Sequence, residues 1–545
     1  MCLPGLRGGR RIPYDSQNST QRSATPVADP QDKLPVSRKQ SPRFLRTWGG
    51  RTFRFNLKSF RLGDNSTTRR FSIVEAALLI MLALLASRAL GVIRQVIFNA
   101  LFGTGIEANA YVAAARLPET LFNLIAGGTL IHALIPVFFS YEKKHGDVEA
   151  WRLASLVFNL LFVAITLIII VGEFLTPVFV NQILVPGFSP AGQALTTSLT
   201  RILLFEPLIL GVGSVVSAVL SSKRQFLLPA LSLAMYNFGV IGGLVVTLLI
   251  PRVGVYGPTV GVLVAVTLQL AVQIPALVKQ GARYEFIWNL RHPGLLEVLR
   301  LLIPNALATG VAYVATIVDT NFASRIPDLA SVSALQNAEM LQGLPAALIS
   351  QAIAQSLLPH LTVQAASGRY VRMRQTALKV IGGAALLTVP AALVLAALGK
   401  PLIHLLFQHG AFNQHSTDVT ALALLGYAVA LPGMSLGSLL AGGFFALKDS
   451  TTPFFANTVG LIVHVGLLFL FFTMLPVTLM VMAIPLALGG STTVESLLLV
   501  GLLLFRLRKR IPLDKGMLRL LRRRQYEQDR KLDEVAVGQG SEKEH

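Results

Sequence analysis

The sequence of 545 residues is poor in cysteine and in charge. Its single cysteine, Cys2, cannot supply an internal disulfide or a cysteine metal site. Only 14% of the residues are charged, against about 25% in an ordinary soluble domain. The sequence also lacks a glycine-rich nucleotide loop, a metalloprotease helix and a serine nucleophile elbow. These absences indicate neither an enzyme of those classes nor an ATP-driven pump, and no cofactor is predicted.

Long apolar runs dominate the sequence. Hydrophobic residues make up 53% of the chain, and runs long enough to span a bilayer as a helix, about 20 residues, recur from Ile73 to Phe505. The sequence therefore predicts an all-α polytopic membrane protein with about twelve transmembrane helices. These helices are predicted near residues 73–96, 109–139, 153–179, 196–221, 229–250, 255–278, 298–322, 333–361, 376–398, 416–446, 453–475 and 479–505.

Positive charge is concentrated at the two ends of the chain. The first 70 residues contain 15 Lys or Arg residues and four Asp or Glu residues. Basic ends can bind nucleic acid, but beside membrane spans they are typical of the cytoplasmic side, where they contact anionic lipid heads. No nucleic-acid partner is therefore predicted. We expect a disordered leader (1–72) without a signal peptide, an N-terminal six-helix lobe (73–278), a cytoplasmic linker (279–297), a C-terminal six-helix lobe (298–505) and a basic cytoplasmic tail (506–545).

The short loops predict the orientation of the spans. With the leader in the cytoplasm, twelve Lys or Arg residues fall in inside loops and three in outside loops, which are Arg252, Arg325 and Lys400. This alternation supports twelve spans with both termini cytoplasmic. The segment Ala218–Pro229 also resembles Phe445–Pro453, which lies six spans further along. Such a repeat predicts two parallel six-helix lobes around a central cavity.

The first two spans carry cations and amides that are costly in a membrane. Arg88 and Gln95 share a helix face, and Arg94 lies at its edge. In the second span Asn109, Arg116 and Asn123 recur every seven residues. The predicted substrate-binding residues are these three together with Arg88 and Arg94. Intramembrane charges usually face a cavity or a partner, and guanidinium groups match phosphate geometry.

Each of these cations has a structural alternative. Arg94 can snorkel toward the headgroups, and Arg116 can pair with Glu119 or Glu107. Arg201, in the fourth span, is interpreted as structural, as is Glu206 in the same span. His464 is interpreted as a hydrogen-bonded interior group, as is His132. No metal site is predicted at His404, His409 and His415, because no other metal-ligand pattern accompanies them.

Several segments resemble one family in sequence. They are Ser87–Phe138, Ser217–Asn237, Gly254–Leu277, Val318–Pro327, His409–Gly433 and Gly442–Pro453. In collinear order they resemble the MurJ/MviN family of lipid II flippases, which belongs to the MOP superfamily. The resemblance extends over residues 73–510.

The resemblance implies a V-shaped pair of lobes around a cationic cavity in the bacterial plasma membrane. It implies export of lipid II, the undecaprenyl-pyrophosphate-linked peptidoglycan precursor, to the outer leaflet for cell-wall synthesis. Transport would be coupled to the membrane potential or to a monovalent cation, with membrane lipids and the cell-wall synthesis machinery as partners. Arg88 and Arg94 match arginines that engage the pyrophosphate or headgroup, and Asp319 matches an acidic position that serves cation coupling.

The chain departs from the family pattern at several positions. Asn109 replaces an acidic residue, Phe122 and Asn123 replace a basic pair, and Met340 stands in place of an arginine. His464 and Leu468 stand where some members have Asn and Asp, so a complete sodium site is not predicted. Two alternatives stay open: a flippase for another polyprenyl-pyrophosphate-linked glycan, and a degenerate homologue that does not transport. A multidrug exporter of the same superfamily is disfavoured, because it would usually bind cations.

Overall fold

The described part of the chain is built from α-helices. The computed structural model describes residues 73–126 and 128–510, which belong to one compact unit that begins at Thr67. The predicted leader and the tail from residue 511 lie outside the described residues. The α-helices are α1 (Ile73–Phe102), α2 (Ile106–Ile125), α3 (Gly128–His145), α4 (Asp147–Val178), α5 (Pro190–Leu203), α6 (Glu206–Ser222), α7 (Leu227–Leu249), α8 (Tyr256–Ala271), α9 (Ile274–Lys279), α10 (Pro293–Ser324), α11 (Ser331–Ala346), α12 (Ala352–Ala366), α13 (Tyr370–Phe407), α14 (Gln414–Ala446), α15 (Thr451–Met474) and α16 (Ala483–Arg510).

The membrane-spanning character of these helices is confirmed. Ten of the described helical segments are long and apolar enough to cross a membrane, and the bent helix α10 makes an eleventh if its two parts form one span. The predicted eighth span, 333–361, is helical as α11 and α12 but is not among them. Its first half carries Asn337, Glu339 and Gln342, which lower its hydropathy. The fold class is therefore all-α and polytopic, while the exact lobe boundaries stay a prediction.

Local sequence explains where several helices begin. The side chain of Ser189 accepts a hydrogen bond from the backbone N–H of Gly192 at 3.3 Å, with Pro190 as the first residue of α5. The side chain of Asn413 accepts from the backbone N–H of Ser416 at 2.9 Å at the start of α14. Such caps satisfy N–H groups that have no partner within the helix.

Two large hydrophobic cores hold the two halves of the chain, which we define as residues 73–278 and 298–505. In the N-terminal half, α3, α4 and α6 pack around Phe138 and Trp151, whose rings meet edge to face at 5.9 Å. In the C-terminal half, α11, α13 and α14 pack around Phe407 and Phe412. Each half therefore has its own apolar interior.

Helix α10 contributes to both cores. Leu295 and Val298, in its first part, are buried in the N-terminal core. Phe322 and Ala323, at its end, are buried in the C-terminal core. The helix bends by 44° between its two parts, Pro293–Pro304 and Thr309–Ser324. Proline causes such bends because it removes a backbone hydrogen bond and clashes with the preceding turn.

Candidate functional site

The two halves meet at the ends of α1 and α13, on the face predicted to lie outside. The backbone N–H of Ala411 donates to the carbonyl oxygen of Ala100 at 2.8 Å. The hydroxyl groups of Thr104 and Ser416 lie 2.7 Å apart and are both buried. We call this set the outer contact. It joins backbone to backbone, so the two segments of the chain approach more closely than side-chain packing would allow.

Two glycines make this close approach possible. Gly103 and Gly410 have φ angles of 57° and 59°, which glycine adopts without steric cost. A Cβ atom on Gly103 would lie less than 3.0 Å from the carbonyl oxygen of Ala411, and one on Gly410 less than 3.0 Å from that of Ala100. The two turns therefore fit against each other in a reciprocal way, and any side chain at either position would separate them.

A cluster of three amides lies next to the outer contact. The Nε2 of Gln95 donates to the Oδ1 of Asn337 at 2.8 Å, and the Nδ2 of Asn99 donates to the same oxygen at 3.0 Å. Asn99 and Asn337 are fully buried. The cluster joins α1 to α11 and hence the N-terminal half to the C-terminal half. Gln95 lies on the polar face that the sequence predicts, whereas nothing in the helical pattern distinguishes Asn99 and Asn337 from other polar residues.

Asn109, a predicted substrate residue, forms hydrogen bonds in the contact between the halves. It is 2% exposed. Its Oδ1 accepts from the backbone N–H of Ser333 at 2.7 Å. Its Nδ2 donates to the carbonyl oxygens of Thr104, at 3.2 Å, and Leu329. Both ends of the amide therefore have protein partners, and the structure places Asn109 inside a helix–helix interface.

Arg116 also bridges the halves, through a charged network. Its Nη2 donates to the Oε1 of Gln336 at 2.7 Å and lies 3.7 Å from a carboxylate oxygen of Glu339. Its Nη1 lies 3.6 Å from Glu119. The contact between Arg116 and Glu119 that the sequence predicts is thus present, whereas Glu107 lies beside Gly254. Gln336 and Glu339 belong to α11. Their contacts with Arg116 could not be predicted from the sequence, because they are more than 200 residues away from it.

Arg94 lies among aromatic side chains of the N-terminal half. Its guanidinium carbon is 5.7 Å from the centre of the Tyr236 ring, within the range of a cation–π interaction. Glu206 lies within electrostatic range of Arg94 and of Glu119.

Arg88 and Asn123 are less closely connected to these groups. The Arg88 side chain is exposed, in a helix that is apolar enough to span a membrane. An exposed guanidinium group on a membrane-spanning helix is stable where water or an anion reaches it. The Nδ2 of Asn123 donates to the carbonyl oxygen of Glu119, on its own helix, at 2.9 Å. The roles of all five predicted substrate residues stay predictions.

Two further ion pairs distinguish structural groups from candidate ones. Arg201 lies 3.5 Å from Glu173, and both side chains are partly exposed. This supports the structural interpretation of Arg201. His415, one of the three clustered histidines, lies 3.0 Å from Asp328. Across residues 73–126 and 128–510, no group of three or more His, Cys, Asp or Glu side chains could hold a metal ion.

Asp319 pairs with a buried histidine. Its Oδ1 is 2.6 Å from the Nε2 of His464, which is 2% exposed. The interpretation of His464 as a hydrogen-bonded interior group is therefore confirmed. Leu468, one turn further along α15, is fully buried and offers no lone pair. A hard cation such as sodium requires several oxygen ligands. The side chains at these three positions supply only one carboxylate, so they do not fit a metal cation.

The sequence and the fold match one family of transporters. A family model described as lipid II flippase MurJ matches residues 98–523. The probable lipid II flippase MurJ of Rhizobium meliloti is 30% identical over 390 residues, which are 71% of this chain and 72% of the relative. The lipid II flippase MurJ of Burkholderia cenocepacia is 31% identical over 378 residues, which are 68% of this chain and 72% of the relative.

Solved structures agree on the fold. A lipid II flippase MurJ in an inward closed conformation has a TM-score of 0.68 and 24% identity, covering 78% of this chain and 87% of that one. An inward-facing MATE multidrug transporter of the MOP superfamily has the same TM-score at 13% identity, covering 80% and 99%. Because the family model covers most of the chain, this protein belongs to the MurJ family of lipid II flippases, which are membrane transporters and not enzymes.

Proposed function

We propose that this protein carries lipid II from the inner to the outer leaflet of the bacterial inner membrane, for peptidoglycan synthesis. Lipid II presents a pyrophosphate and a sugar headgroup, and its lipid tail can stay in the bilayer. A transporter for it must offer cations inside membrane-spanning helices, which are otherwise too costly to keep there. Family membership and this requirement point to the same function.

The observation that carries the proposal is the charged network between the halves. Arg94 and Arg116 belong to membrane-spanning helices of the N-terminal half, where Glu206 interacts electrostatically with Arg94 and Glu119 lies 3.6 Å from Arg116. Glu339 approaches Arg116 from the other half. An incoming pyrophosphate would compete with these carboxylates for the guanidinium groups, because charge-assisted hydrogen bonds to phosphate have matching geometry. Substrate binding would thereby loosen a contact that joins the halves.

The outer contact supports alternating access. In this state the halves are joined at the predicted outer face, and alternating access would then open the substrate path toward the predicted cytoplasmic face. Opening at the outer face would require separation of the outer contact and of the amide cluster. We further propose that both termini are cytoplasmic and that the cycle is coupled to the membrane potential or to a monovalent cation. Cell-wall synthesis enzymes are the partners that would receive the product.

Complementation tests the function directly. The gene is expressed in bacteria depleted of their own lipid II flippase, and lipid II in the outer leaflet is measured. We expect growth and labelled lipid II to be restored. If a well-expressed, membrane-inserted protein restores neither, the lipid II assignment is wrong. Growth without lipid II in the outer leaflet would also contradict it.

One specific observation favours a second candidate substrate, another polyprenyl-pyrophosphate-linked glycan. Residues Asn109, Asn123 and Met340 stand where many members have charged side chains, and Asn109 is buried in the contact between halves. A site with fewer charges would suit a headgroup other than that of lipid II. Transport assays with other polyprenyl-pyrophosphate glycans distinguish the two substrates. A protein inactive toward all of them would be the degenerate homologue.

A further inference from the structure

The pair of Asp319 and His464 lies within membrane-spanning helices of the C-terminal half. The pair joins α10 to α15, with 2.6 Å between the Asp319 Oδ1 and the His464 Nε2. His464 is 2% exposed, whereas the Asp319 side chain is 24% exposed. A buried pair of this kind gains little stability over an apolar pair, because both groups lose hydration. Its presence therefore calls for a role other than stabilisation.

The chemistry of the pair suits a proton. An imidazole is the side chain whose charge normally changes near neutral pH. Protonated His464 beside ionised Asp319 is neutral overall, and loss of one proton leaves a net negative charge in the protein interior. The same positions do not fit a metal cation, since Leu468 supplies no ligand and the histidine presents a nitrogen.

Titratable groups of three other helices of the C-terminal half lie around the pair. Glu339, on α11, lies within electrostatic range of both Asp319 and Arg116. Tyr427, on α14, lies within range of the same three groups. On the α16 side, Glu495 approaches α15 at Gly460, one turn before His464. A change of charge at the pair therefore acts on Glu339, which lies 3.7 Å from Arg116 of the other half.

We propose that Asp319 and His464 form a proton-binding site whose protonation controls the contact between the halves, so that the coupling cation is a proton. This inference rests on the proposed function for its use in transport. Loss of the proton to water leaves a negative charge that repels Glu339 and attracts Arg116, which changes the Arg116–Glu339 bridge. Uptake of the proton restores the neutral pair. No covalent bond other than that to the proton changes.

The test measures the distance between the halves and needs no substrate. Cys2 is replaced by serine, and spin labels are attached to Gly105→Cys and Gln414→Cys, two exposed positions on opposite halves. The full-length protein in lipid nanodiscs is titrated from pH 5 to pH 9 in sodium and in potassium salts. We expect two distance populations, whose ratio changes by up to about tenfold per pH unit for one proton, with no difference between the two salts.

Variants assign the transition to the pair. Asp319→Asn and His464→Gln should each reduce the change in ratio to less than about twofold over the whole titration. His404→Gln, at an exposed histidine of the same half, should leave it unchanged. A wild-type distance that is independent of pH overturns the proposal even if neither variant folds, and so does a transition retained in Asp319→Asn. A sodium-specific shift at constant pH would assign a metal cation instead.

The result is independent of the flippase assay. If complementation fails and the pH transition is present, the proton site stands and the substrate is wrong. If complementation succeeds and the transition is absent, the proton site is wrong and the proposed function stands.

Discussion

Replacement of Gly410 by alanine should open the outer contact. The added Cβ would lie less than 3.0 Å from the carbonyl oxygen of Ala100, a separation that real Cβ atoms do not adopt. The two segments must move apart. The hydrogen bond from the Ala411 N–H to the Ala100 oxygen, which is 2.8 Å long in the unsubstituted protein, must break. This change acts only on the state in which the halves are joined.

Two energetic costs give the size of the effect. Overpacking of a tight contact costs about 1–3 kcal/mol, and loss of one backbone hydrogen bond costs about 0.5–1.5 kcal/mol. Together they destabilise the closed outer face by about 1.5–4.5 kcal/mol, relative to a state in which the halves are apart. This free energy corresponds to a change of about 10- to 2,000-fold in the ratio of the two states. The left-handed φ of residue 410 adds strain of about 1–2 kcal/mol, but that strain exists in both states.

Spin-label distances across the outer face measure this ratio. Gly410→Ala, in the protein labelled at residues 105 and 414, should give a longer and broader distribution than the unsubstituted glycine. Gly368→Ala is the matched control, since Gly368 has a φ of 66° and open space around it. It carries the backbone strain without the overlap and should keep the short distance. Identical distances in both variants and the parent would refute the reasoning.

Three further substitutions test the site. Arg94→Ala should lower lipid II transport in complemented cells by about 10- to 100-fold, the equivalent of a lost charge-assisted hydrogen bond, whereas Arg201→Ala, which breaks a half-exposed ion pair, should have little effect. Glu339→Gln removes a competitor for Arg116 and should tighten binding of the pyrophosphate lipid several-fold, as read by native mass spectrometry; weaker binding would contradict the competition. Asn337→Leu removes a buried acceptor shared by two amides and should lower the unfolding temperature in detergent; an unchanged temperature would deny the amide cluster a structural role.

The apolar periodicity of the chain predicts its class and most of its spans, because a bilayer imposes a fixed length of apolar helix. The eighth span is the informative exception. Asn337 and Glu339 make α11 too polar for a lipid-facing helix, and the structure accounts for both, since Asn337 is buried in an amide cluster and Glu339 approaches Arg116. Polar residues that serve contacts between helices lower hydropathy as much as loop residues do.

The site was only partly predictable for a related reason. The cations Arg94 and Arg116 are conspicuous, because a charge inside an apolar run needs a reason. Their partners are not, since the contact between Arg116 and Gln336 joins positions 220 residues apart and no local pattern encodes it. Asn109 shows the limit of a spacing argument. Its seven-residue spacing from Arg116 predicts a shared helix face, but a buried interface and a substrate path can lie along the same face.

The bend in α10 determines how the two halves can move. Since the first part of the helix is buried in one core and its end in the other, a rotation of the halves cannot leave this helix rigid. We expect the change to be absorbed between Pro304 and Thr309, where the helix is already bent by 44°. This short segment would then act as a hinge, and Asp319 lies on the part of α10 that packs against the C-terminal half. Binding of a proton at Asp319 and rotation about that hinge would then be coupled parts of one conformational equilibrium.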